Sequence, residues 1–182
     1  GVTGLHHRKL APRPGSHRFD GPARAVVALG PRDAAVEAAL GVGGHAVQRA
    51  PRAVAALDYQ ETINFSFVDE RWEHELAGNI EPIRLMNPIA SQMNVMRSSL
   101  LGSLLQVVKY NTDRRADRVR VFEIGRVFLR SPETENSEST VAGYKQPMRV
   151  AGAVYGAAEQ LQWGTKSRAA DFFDVKGDVE AL

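Results

Sequence analysis

The sequence contains no cysteine, which excludes disulfides and thiolate-held metals at once. No apolar run approaches the roughly 20 residues that a membrane-spanning helix needs, and the first residues lack the apolar stretch of a secretory signal. Charge of one sign is not in large excess either: 23 Lys and Arg stand against 21 Asp and Glu. What is there suits a globular chain. Hydrophobic residues make up 43%, enough to build a core and too many for a disordered segment. A cytoplasmic protein that interacts with neither membrane nor DNA is the expectation.

The small net charge hides an asymmetry. Residues 1–52 carry eight basic and three acidic side chains, whereas residues 53–182 carry fifteen basic and eighteen acidic. The high isoelectric point therefore describes the first segment and is no nucleic-acid footprint on the rest. Residues 1–52 are also rich in Ala, Arg, Gly and Pro and lack clean periodicity, so they are set apart as an atypical segment, disordered or non-native. One helix is predicted inside it, with Asp33 as cap, Ala34 to Leu40 as body and Gly41 as stop. His6 and His7 read as a solvated tail. Gly41-Val42-Gly43-Gly44 reads as a plain loop, because the Lys-Ser/Thr of a phosphate loop does not follow.

From residue 53 the patterning is regular, and residues 53–182 are taken as one module. Pro51 suits the first turn of a helix continuing through Leu57. Thr62 to Val68 alternates as a strand, with Ile63, Phe65 and Phe67 on one face. Asp69 caps a short helix through Leu76, and Ile83 to Met86 forms a short strand. Leu100, Leu101, Leu104, Leu105 and Val108 make the apolar stripe of a helix capped by Ser98 or Ser99 and ending near Asn111. Gly102 within it implies close packing. A long strand, Val119 to Leu129, is covered on part of both faces and returns as Met148 to Val154 after a polar hairpin loop. A last helix begins near Asp178. The sum is an α+β fold, an antiparallel β-sheet with flanking helices packed on one face.

Four ordered blocks carry a resemblance: residues 59–69 (YQETINFSFVD), 87–111 (NPIASQMNVMRSSLLGSLLQVVKYN), 119–128 (VRVFEIGRVF) and 171–180 (DFFDVKGDVE). Together they resemble the beta subunits of bacterial phenylalanyl-tRNA synthetases. The resemblance implies a truncated class II aminoacyl-tRNA synthetase-like core. It also implies a role as the non-catalytic module that docks on a catalytic alpha subunit in an alpha2-beta2 assembly. Active modules of that class carry, on the long strand, an arginine directly after an aromatic and an acid two positions later. Here Phe128 is followed by Leu129, and Ser131 stands in the acid's place, so the module is expected to be inert. ATP, Mg2+ and tRNA then belong to the whole enzyme, and no cofactor or metal site is carried over to this chain.

The interface or structural residues singled out are Tyr59, Phe65, Phe67, Arg97, Glu123 and Arg126. Glu123, inward on the long strand or at an interface, needs a partner, and Arg97 or Arg126 is offered. Arg114, Arg115, Arg118 and Arg120 interleave with Asp113 and Asp117 as a salt-bridged turn. Asp174 and Asp178 read as first-turn acids of the last helix. Two alternatives stay open: a free-standing class II-like ligase, and a basic RNA-binding module.

Overall fold

A computed structural model describes residues 33–39 and 44–181, with side chains from residue 50 onward. The expectations for His6, His7 and the loop at 41–43 lie outside the described residues. The chain runs β1 (Asp33–Ala39), α1 (Gly44–Ala56), β2 (Gln60–Glu61), β3 (Phe67–Val68), α2 (Glu70–Glu75), β4 (Ile83–Arg84) and β5 (Val95–Met96). It continues α3 (Leu101–Thr112), β6 (Arg118–Arg126), β7 (Leu129–Arg130), β8 (Tyr144–Lys145), β9 (Met148–Gly156) and α4 (Phe172–Glu180). The α+β class expected from the sequence is present.

The main sheet has the order β1-β9-β6-β2. It is mixed rather than purely antiparallel, because β2 runs parallel to β6. β6 and β9 pair over nine positions, from Arg118 opposite Gly156 to Arg126 opposite Met148. Side chains alternate between the faces of a strand, and here that alternation separates two cores. Phe122, Val150 and Val154 pack with Val54, Tyr59 and Val175, beneath α1 and α4. Val119, Val121, Ala151 and Ala153 pack with Leu100, Leu101 and Leu104 of the α3 segment on the opposite face. Helices thus cover both faces of the sheet, which corrects the one-face expectation: β6 and β9 are apolar on both sides, and each side needs its own cover.

Several local expectations shift. The helix predicted over residues 34–40 is a strand, antiparallel to β9 along seven positions. Alanine favours helices, but a ready nine-residue strand edge outweighs local propensity. Pro51 lies inside α1 and not in its first turn. The lost hydrogen bond is tolerated in a helix whose Ala50 and Val54 pack on the first core, with Leu57 just beyond its end. The last helix starts at Phe172, not near Asp178. Asp171 accepts from the backbone N–H groups of Phe173 and Asp174, while the Asp174 carboxylate accepts from that of Asp171, a complete capping box.

The close packing expected at Gly102 is real. A Cβ there would meet Cε3 of Trp72, on α2, at 2.9 Å. Gly102→Ala is therefore expected to destabilise the chain by about 1–3 kcal/mol through overpacking, despite alanine's better helix propensity. A lowered midpoint in urea denaturation is the check.

Candidate functional site: a buried polar network beneath an exposed apolar strip

Residues 62–66, predicted as strand, are irregular and join β2 to β3. Their side chains still alternate, as the sequence pattern implied. Thr62, Asn64 and Ser66 are half-buried, whereas Ile63 is 93% exposed and Phe65 63% exposed. The polar positions are tethered inward. Thr62 donates to the Phe122 carbonyl through its backbone N–H at 2.7 Å and through Oγ1 at 3.1 Å. Asn64 Nδ2 donates to Glu123 Oε2 at 2.8 Å, and the Ser66 carbonyl accepts from the Arg97 backbone N–H at 3.0 Å. Phe67 on β3 is half-buried, its ring centroid 6.5 Å from that of Phe65.

Beneath the strip lies a buried ion pair. Arg97 and Glu123 are each 2% exposed, and Arg97 Nη1 donates to Glu123 Oε1 at 2.6 Å. Of the two partners offered for Glu123, Arg97 is the one that reaches it. Arg97 Nε also donates to the Arg126 carbonyl at 3.1 Å. The Arg126 side chain points away and donates from Nη1 to the Gln146 carbonyl at 2.8 Å. Space for the guanidinium exists because residue 125 is glycine; a Cβ there would overlap Arg97 Nη2.

A second buried carboxylate stands next to the first network. Glu73 accepts from the Ser98 backbone N–H at 2.9 Å, from Ser98 Oγ, and from Asn79 Nδ2 at 2.8 Å. Ser98 therefore serves Glu73 and not the helix: the cap position of α3 is Leu100, and Ser99 Oγ accepts from the Leu101 N–H. Glu73, Asn64 and Asn79 were not anticipated. The one signal available was that residues 62, 64 and 66 are all polar, which marks a face but not the side it turns to.

Tyr59 belongs to the other side of the sheet. Its hydroxyl donates to Asp178 Oδ2 at 2.8 Å, and Arg120 both pairs with Asp178 and lies over the Tyr59 ring at 4.4 Å. Burial, acting before the neighbouring charges, pushes the phenol far above its ordinary range. Asp178 is thus a mid-helix partner and not a first-turn acid. Asp174 does lie in the first turn, where the Arg168 guanidinium holds its carboxyl below the usual range. The salt-bridged turn predicted at 113–120 is dispersed: Asp113 pairs with Lys109, Arg118 with Asp58, and Arg114 stacks 3.4 Å over Tyr110.

Leu129 and Ser131 lie beyond the long strand, which ends at Arg126. Leu129, on β7, packs against the core under α3, and Ser131 is buried with its hydroxyl unpaired among the described residues. On β6 itself the aromatic is Phe122, followed by Glu123 and, two positions further, Gly125. An acid and a glycine occupy those places. The arginines of this strand are already engaged, Arg118 with Asp58, Arg120 with Asp178 and Arg126 with Gln146. Arg118 and Arg120, each paired with a carboxylate, are not free for a nucleotide phosphate, and among the described side chains no group of three His, Cys, Asp or Glu is placed to hold a metal ion. No described helix is long and apolar enough to cross a membrane.

Fold and site together define an α+β module whose polar centre is hydrogen-bonded internally and whose apolar strip faces outward. Its sequence matches the family profile described as "Phenylalanyl tRNA synthetase beta chain CLM domain" over residues 31–182, and the chain belongs to that family. It is 60% identical over 130 residues to the phenylalanine–tRNA ligase beta subunit of Ralstonia nicotianae, and 61% identical over 130 residues to that of Cupriavidus pinatubonensis. Each alignment covers 71% of this chain and 16% of the relative. With the beta subunit of Burkholderia pseudomallei it shares 52% identity over 161 residues, 88% of this chain and 19% of that protein. The chain thus spans less than one fifth of the length of these relatives. The profile takes in β1 and α1, and so crosses the boundary set at residue 52.

Proposed function

We propose that this module is the non-catalytic, class II synthetase-like part of a phenylalanine–tRNA ligase beta subunit, and that it docks on the catalytic alpha subunit in an alpha2-beta2 assembly. ATP-dependent attachment of phenylalanine to its tRNA, in the cytoplasm, is then the work of the whole enzyme, to which ATP and Mg2+ belong. The relatives' designation as beta subunits implies a second kind of subunit to bind. One observation carries the docking role. The strip at 62–66 turns its polar side chains into the protein and its apolar ones to solvent, the reverse of what a free surface favours.

No step of the ATP chemistry is routed through these residues. Arg97, which pairs with Glu123 of β6, neutralises that carboxylate and is not available to a phosphate. The test is assembly. Phe65→Ser in the full beta chain is expected to weaken association with the alpha subunit by about 1–3 kcal/mol while leaving the fold intact, since the ring is mostly exposed. Light scattering on mixed subunits reads it. Undiminished heterotetramer from a folded Phe65→Ser chain sinks the docking surface.

A further inference from the structure

The outward pose of the strip depends on a single buried acid. Glu123 divides its oxygens, Oε1 accepting from Arg97 and Oε2 from Asn64. The second hydrogen of the Asn64 amide reaches Thr62 Oγ1 at 3.3 Å, so the same side chain braces the strip internally. Arg97 holds the far end, where its backbone N–H binds the Ser66 carbonyl. The tethers fall at positions 62, 64 and 66, and the side chains between them, Ile63 and Phe65, have nowhere to point but outward.

We propose that Arg97, Glu123 and Asn64 form a positioning relay that presents Ile63 and Phe65, already ordered, to the partner subunit; this rests on the docking reading above. In water, exposed isoleucine and phenylalanine side chains gain by folding back onto apolar neighbours. A charge-assisted hydrogen bond from Asn64 to a buried carboxylate opposes that collapse more strongly than a neutral one would. Holding the strip in its bound pose before contact removes part of the ordering cost of association. Asn64 is thus a positioning residue, acting through the strip it holds, and Glu123 is its anchor.

The experiment uses the full beta chain and its alpha subunit, with three variants: Asn64→Ala, Thr62→Val and Phe65→Ser. Dissociation constants are read by titration, strip order by amide hydrogen exchange over residues 62–66, and fold by thermal midpoint. Asn64→Ala is expected to speed exchange across the strip, with a modest drop in midpoint because Glu123 Oε2 loses its donor. If it leaves the strip outward about a tenth of the time, the dissociation constant rises about tenfold. Thr62→Val should act in the same direction but less, because its backbone N–H still reaches the Phe122 carbonyl. Phe65→Ser should weaken binding with exchange unchanged. Unaltered affinity in Asn64→Ala and Thr62→Val beside a weakened Phe65→Ser would overturn the relay and leave the docking surface standing. Unaltered affinity in all three would remove both.

Discussion

Replacing Arg97 by methionine is expected to cost about 3–5 kcal/mol, because it leaves the Glu123 carboxylate buried without its cation. The geometry explains the size. Glu123 is 2% exposed, so water cannot replace the guanidinium, and Asn64 supplies only one neutral donor. Arg97 also donates to the Arg126 carbonyl, which the substitution leaves with one donor fewer. Methionine fills comparable volume, so the loss is electrostatic and not a cavity effect. The sharper test is the double variant Arg97→Met with Glu123→Leu. Removing both charges should recover most of the stability, since a buried pair seldom outweighs well-packed apolar residues of similar size. Urea denaturation of the wild type, both single variants and the double variant closes the cycle. A double variant as unstable as Arg97→Met would show that the pair supports packing that leucine and methionine do not supply. The recovered double variant should also have lost the anchor for Asn64, which separates stability from docking.

Gly156→Ala is expected to be at least as damaging, at about 3 kcal/mol or more, for a different reason. Gly156 ends β9 with φ of +89°, a conformation that side-chain-bearing residues rarely adopt. A Cβ there would overlap the backbone carbonyl of Asp117, which has no rotamer with which to move away. The carbonyl of Gly156 accepts from the Ala170 N–H, tying the end of β9 to the segment that leads into α4. A shift at Gly156 therefore reaches the β6–β9 register at Arg118 and the seat of α4 together. Gly143 provides the contrast: its φ is +81° but a Cβ would meet nothing within 4 Å. Gly143→Ala should show strain alone, and the difference in thermal midpoint between the two variants isolates the clash.

Much of the architecture was legible in the sequence because it is a matter of local pattern. The apolar stripe at Leu100, Leu101 and Leu104 marked α3, Asp69 marked the start of α2, and the alternation around Val119 to Arg126 marked the central strand. Resemblance over four short blocks led to the family, which the profile over residues 31–182 shows. The failures have a common cause. Residues 34–40 read as helix from the Asp33 cap and the Gly41 stop, and the edge of β9 makes residues 33–39 a strand instead. Asp178 read as a first-turn acid, whereas the Asp171–Asp174 capping box had already begun the helix six residues earlier.

The site divides along the same line. Composition and spacing alone determined that no thiol chemistry is available, that a core of ordinary size can form, and that a buried Glu123 would require a partner. Which partner it is, and which way residues 62–66 face, are decided by contacts between positions 26 to 60 residues apart. An alternating strand carries two faces with equal periodicity, and nothing within it says which one meets the protein. Here the choice follows from a carboxylate on a distant strand: it binds Asn64 more favourably than a core without a matching cavity would take Ile63 and Phe65, so the apolar face turns outward.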